Sequence, residues 1–139
     1  MSEKDLVKVR DLKPGMENVN LEVRVIETSE PKTIQTRKGV RTISEAIIGD
    51  DTGRVRATLW GRKAGTLHEG EAVRIEGAWT TSYRGRVVVN IGSRTQVKEV
   101  KNDSIPLSDE IPYLEPKAPR ARRQSRRRGQ EPYYVRPKK

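Results

Sequence analysis

Cysteine is absent and histidine occurs once, which removes disulfides, thiolate chemistry and the common zinc sites together. Phenylalanine is absent too, and the whole chain holds only two Trp and four Tyr. No stretch approaches the roughly 18 consecutive apolar residues of a membrane span. Met1–Arg10 is charged and does not resemble the apolar core of a signal peptide, so the chain is expected in the cytoplasm, wherever the genome lies. Asn102-Asp103-Ser104 matches a glycosylation pattern that has no use there. With 32% hydrophobic residues, a core of Val, Ile and Leu is feasible over about 90 of the 139 residues, not over all of them.

Charge is what the chain has in excess, and it is unevenly placed. The formal net charge is +10. Residues 1–100 hold 18 Lys/Arg against 14 Asp/Glu, residues 101–119 hold 2 against 4, and residues 120–139 hold 9 against 1. Positive charge of this size draws polyanions and speeds their encounter, so nucleic acid is the leading partner, with an acidic membrane or an acidic protein as the alternatives.

Residues 18–98 read as strands cut by turns. Val19, Leu21, Val23 and Val25 alternate with polar residues, a period of two with one buried and one wet face. Two runs, 32–37 and 40–48, flank Lys38-Gly39, where Gly39 supplies the positive φ of a tight hairpin. Gly49-Asp50-Asp51-Thr52-Gly53 forms a turn before Val55, Ala57 and Leu59. A helical turn or two is expected around Lys63–His68, then a strand through Val73 and Ile75. Tyr83-Arg84-Gly85-Arg86 turns the chain into Val87, Val89 and Ile91, and it pairs again near 94–100. This is an all-β order: a five-stranded OB-fold barrel with a short helical insert between its third and fourth strands.

Periodicity stops near residue 101. The expected division is an OB-fold nucleic-acid-binding domain over 1–100, a Pro-containing linker over 101–119, and a disordered basic C-terminal tail over 120–139.

Strand parity gives the sharpest local inference. If Val55, Ala57 and Leu59 face the barrel interior, then Arg54, Arg56, Thr58 and Trp60 face out. An indole beside two arginines on an outer face is a stacking platform next to phosphate-binding charge; a Trp folded back over a loop is the other reading. Trp79 shares parity with the buried Val73 and Ile75, unless Gly77 marks a bulge that resets it; both placements stay open. Tyr83 sits at a hairpin tip beside Arg84, where a solvated tip is the plain alternative. These three are the only aromatics before residue 113, and each lies near a basic residue. Asp50-Asp51, set between glycines, reads as turn chemistry, and His68 has no partner for a metal or catalytic role. No metal site, cofactor site or nucleophile–base set can be assembled.

The run Ile34–Val55 resembles the crenarchaeal single-stranded DNA-binding proteins, as do Thr58-Leu59-Trp60-Gly61 and Ala78–Gly85. The similarity spans about residues 6–98. It implies a single OB domain related to replication protein A, with no enzyme activity, that holds single-stranded DNA with little sequence preference in replication, recombination and repair. By the same resemblance, bases stack at Trp60, Trp79 and Tyr83, with Tyr at 83 where the family more usually has Phe. Ile34 falls at a base-contacting position, and Lys32, Arg37 and Arg41 fall where basic groups approach the strand. With Arg54, Arg56 and Arg84 these complete the candidate site. The arginine-rich C-terminus departs from the glycine-rich, acidic ending common in the family, so protein recruitment through an acidic tip is not implied. A single-stranded RNA-binding module and a protein-docking OB subunit are the rival readings.

Overall fold

The computed structural model describes residues 6–101 and 105–118. The alternating segment forms β1 (Val19–Thr28), with Val19, Leu21, Val23 and Val25 all buried. β2 (Lys32–Thr36) and β3 (Gly39–Asp50) make the expected hairpin with Arg37-Lys38 at its tip. Gly39 has φ +113, and the Thr36 hydroxyl donates to its carbonyl at 2.8 Å. Asp50 is buried and caps the next turn, accepting from the backbone N–H of Thr52 at 2.8 Å and of Val9 at 3.0 Å. β4 (Gly53–Trp60), β5 (Ala72–Tyr83), β6 (Arg86–Ile91) and β7 (Gln96–Glu99) complete the sheet. Arg84 (φ 55) and Gly85 (φ 80) form the two-residue turn between β5 and β6, the pair of positive φ values that matches strand twist.

Pairing runs β1-β3-β4-β6-β5, and β5 returns to β1, so five strands close into a ring. β4 and β6 are the parallel pair. Closure leaves no open edge within the ring. β2 extends outward from β3 and β7 borders β5, giving seven strands where the sequence suggests five plus a possible later pairing. The ring is filled by aliphatic side chains alone, among them Leu21, Ile48, Leu59, Ile75 and Ile91. The helical insert is smaller and earlier than expected: a single 3-10 turn at Gly61–Lys63. Gly61, Gly65 and Gly70 all take positive φ in this connector, which a longer helix there could not absorb.

The Pro-containing segment departs from the linker reading. Its described part, Lys101 and 105–118, is packed along the barrel and includes one 3-10 turn at Ser108–Glu110. Ile105, Ile111 and Ala118 are buried. The Arg24 guanidinium donates to the carbonyls of Ile105 and Pro106 at 3.0 and 2.9 Å. Backbone N–H groups of Arg54 and Val87 donate to Leu114 and Pro116, and Arg86 forms a β-bridge with Lys117. Prolines that cannot donate leave carbonyls for arginine side chains and strand ends to use. Residues 120–139 and Asn102-Asp103-Ser104 lie outside the described residues. Among the described residues no helix is long and apolar enough to cross a membrane.

Candidate nucleic-acid interface

Residues directly opposite in a ladder share a face, so the register maps the outer surface. Glu45, Thr58, Asn90 and Trp79 form one row across β3, β4, β6 and β5. Ile47, Arg56, Val88 and Thr81 form the next. Trp60, two residues beyond Thr58, stands at the upper end of the same face, opposite Ile43. Strand alternation in β4 thus puts Trp60 where parity predicts, and it is partly exposed.

Trp79 reaches this face through a bulge. β1 pairs Leu21 with Ile75 but Val19 with Ala78, so β5 carries one residue more than β1 over that interval. Gly77 absorbs it at φ +83, and its N–H donates to the Asn20 side chain at 3.1 Å. Ala78 therefore turns into the core and Trp79 turns out, partly exposed. The ring lies over Gly92: a Cβ built there would stand 2.9 Å from Trp79 Cη2.

Three residues that sequence reading missed organise the platform. Asn90, buried, accepts from the Trp60 indole N–H at 3.1 Å and donates to the Thr81 hydroxyl at 3.1 Å, tying β4 to β5 through β6. Thr95, also buried, accepts from the Gly92 N–H at 3.0 Å and donates to the Gly77 carbonyl at 3.2 Å. It thereby joins the bulge to the glycine under the ring. Lys63 steadies the same loop through the Gly92 and Thr95 carbonyls. Polar strand residues carry no signal of which neighbour they will reach, although the lone Gly92 after Ile91 marks a close approach.

Tyr83 lies at the lower end of β5, opposite Arg86, with the Arg84 guanidinium 5.1 Å from its ring centre. Lys32, Arg37 and Arg41 lie along the β2–β3 hairpin, which stands beside Trp60 because Lys32 pairs with Ile43 and Ile43 with Trp60. Arg56 is exposed in the centre of the face. No ion pair involves Lys32, Arg37, Arg41, Arg56 or Arg84 among the described residues.

Two candidate positions are placed otherwise. Arg54 has the outward parity expected, yet only 9% of it is exposed. Its guanidinium donates to the Ile111 and Pro112 carbonyls at 2.7 and 3.1 Å and stacks on Tyr113 at 3.8 Å. It holds the C-terminal segment instead of facing phosphate. Ile34 is 4% exposed: it shares the hairpin face of its partner Arg41 and of Lys32, diagonally across from Ile43, but is covered there instead of open to a base.

The same stretch of chain is shared with known proteins. The family described as "Single-stranded DNA binding protein Ssb-like, OB fold" matches residues 12–99. A single-stranded DNA binding protein of Saccharolobus solfataricus is 55% identical over 116 residues, 84% of this chain and 78% of that one. The solution structure of a replication factor A related protein from Methanobacterium thermoautotrophicum superposes with a TM-score of 0.60 at 29% identity, covering 73% of this chain and 96% of that one. An OB domain from Thermoplasma acidophilum gives 0.61 at 25%, covering 75% and 93%. The chain belongs to the Ssb-like family of OB-fold single-stranded DNA-binding proteins.

Proposed function

We propose that this chain binds single-stranded DNA without sequence preference, by stacking bases on Trp60, Trp79 and Tyr83 while Lys32, Arg37, Arg41, Arg56 and Arg84 neutralise phosphates. The observation that carries this is one outer face on which two partly exposed indoles stand in adjacent rows, one pinned through Asn90, flanked by exposed cations. Stacking contributes about 1–3 kcal/mol per base. Three platforms supply on the order of 3–9 kcal/mol, and micromolar binding needs about 8. Base-edge hydrogen bonds are therefore unnecessary, and tolerance of sequence follows because every base has a π-face. The role is non-enzymatic: it shields single strands during replication, recombination and repair, at the nucleoid. Among the described residues no cluster of three or more His, Asp or Glu is placed to hold a metal.

Competition between matched single-stranded DNA, single-stranded RNA and duplex DNA for the full chain tests this reading. The single deoxy strand is expected to bind most tightly and the duplex most weakly. Tighter binding of RNA would move the protein to RNA handling; no binding of any strand would leave protein docking as the use of the face.

A further inference from the structure

One aromatic ring near the candidate face lies outside the set of Trp60, Trp79 and Tyr83. Tyr113 belongs to the docked C-terminal segment and is 85% exposed. Its position is nevertheless set: the Arg54 guanidinium lies 3.8 Å from the ring centre and donates to the carbonyls of the two residues before it, Ile111 and Pro112. The Arg54 backbone N–H donates to the carbonyl of the residue after it, Leu114, at 2.8 Å. One ring face rests on a fixed cation and the ring as a whole is open to water.

The place of this ring is what matters. Arg54 shares outward parity with Arg56, Thr58 and Trp60. β4 and β6 run parallel with Arg56 paired to Val88. Below that pair the docked segment lies between the two strands, its Leu114 carbonyl accepting from the Arg54 N–H and its Lys117 bridging Arg86, which lies directly opposite Tyr83 on its other side. Tyr83, Arg86, the docked segment and Arg54 therefore make the lowest row of the face whose upper rows carry Trp79 and Trp60. Strands are about 4.8 Å apart, so three such steps set the Arg54 and Tyr83 backbones roughly 14 Å from each other. The row repeats one chemistry, since Tyr83 also carries a guanidinium, that of Arg84 at 5.1 Å. Arg86 between them is paired with Glu115 at 3.4 Å, which holds the segment against β6.

Resting on the single-strand reading above, we infer that Tyr113, seated on Arg54, is a fourth base-stacking platform that extends the strand path beyond Tyr83. The docked segment is then part of the binding face. An exposed ring backed by a cation offers a flat surface near phosphate-attracting charge, the combination that single strands use. A ring serving only to cover Arg54 could be replaced by any apolar side chain of similar reach, and that difference makes the proposal testable.

The test uses the full chain and fluorescently labelled oligothymidylates spanning about 4–16 nucleotides, the site-size range of OB folds. Tyr113→Leu, Tyr113→Trp and Trp60→Ala are compared with the parent by anisotropy, with melting temperature recorded for each. Tyr113→Leu is expected to weaken the longer oligomers about fivefold or more while the shortest bind as to the parent. Tyr113→Trp should restore the parent affinity, and the melting temperatures of both should match the parent. Parent-like binding of Tyr113→Leu at every length, with Trp60→Ala weakened, would overturn Tyr113 alone. An equal loss at all lengths would also overturn it, because that marks displacement of the segment. If Trp60→Ala is without effect as well, the single-strand reading fails first and takes this proposal with it.

Discussion

Placement of the two indoles depends on small residues as much as on the rings. Trp79 faces out because Gly77 takes φ +83 in a bulge, and the end of its ring comes close to the backbone because Gly92 has no Cβ there. Gly92→Ala would bring a methyl to 2.9 Å from the far edge of the indole, which can swing away. The backbone at Gly92 has no positive φ, so the fold should tolerate the change within about 1 kcal/mol while affinity for oligothymidylate falls by about 1–2 kcal/mol. Paired urea melts and binding isotherms check both halves; equal affinity would mean the ring's seat is irrelevant. Trp60 is legible in the sequence because β4 alternates without interruption, and Trp79 is half-legible because Gly77 signals a bulge without proving it. Arg54 shows the opposite case. Its parity is readable, but its burial comes from Ile111 and Pro112, 57 and 58 residues away, and no local pattern announces that partner.

Among the elements, the C-terminal segment departs furthest from expectation. Its prolines and absent alternation suggest an unpacked linker, because hydrophobic period is the signal of packed strands. Here the contacts run instead through carbonyls held by Arg24 and Arg54, and through isolated isoleucines. Ile111 is 2% exposed, and its Cγ2 would lie 2.8 Å from a Cβ at Gly49. Ile111→Ala is expected to cost about 2–4 kcal/mol in denaturant unfolding, as for other buried Ile truncations. A change within about 0.5 kcal/mol, normal for an unpacked surface site, would restore the linker reading. The ring of five strands is legible because each strand carries its own alternation. The connector at 61–70 is less so, because its positive-φ glycines turn the chain where the residues between them suggest a helix.

At the scale of the whole molecule, electrostatics divides into a face and a tail. The barrel face presents Lys32, Arg37, Arg41, Arg56 and Arg84, whereas residues 120–139 concentrate nine of the 29 Lys and Arg. Deleting 120–139 is expected to flatten the salt dependence of affinity by about 0.7 in log–log slope for each phosphate that is no longer neutralised. An unchanged slope would show that the tail does not touch the strand. Protonation of the Lys8–Asp51 pair does not confuse such a titration near neutral pH. The hydrogen bond between Lys8 and Asp51, opposed by burial, lowers the carboxyl below its ordinary 3.8 and raises the ammonium above its ordinary 10.5. The Asp51 contribution is complete above 3.8 and fades as pH falls through the lowered value. That of Lys8 is complete below 10.5 and fades as pH climbs through the raised one. An exposed pair of this kind is worth about 0.2–1 kcal/mol, and it is constant between those limits.

The central claim is that unpaired bases lie on the indoles of Trp60 and Trp79. Intrinsic tryptophan fluorescence of the full chain, followed while long oligothymidylate is added and occupancy is read independently from a labelled strand, tests it most directly. Emission should fall in step with occupancy, and Trp60→Ala should weaken binding by roughly 1–3 kcal/mol. Full occupancy with unchanged emission, or parent affinity in Trp60→Ala, would contradict the account.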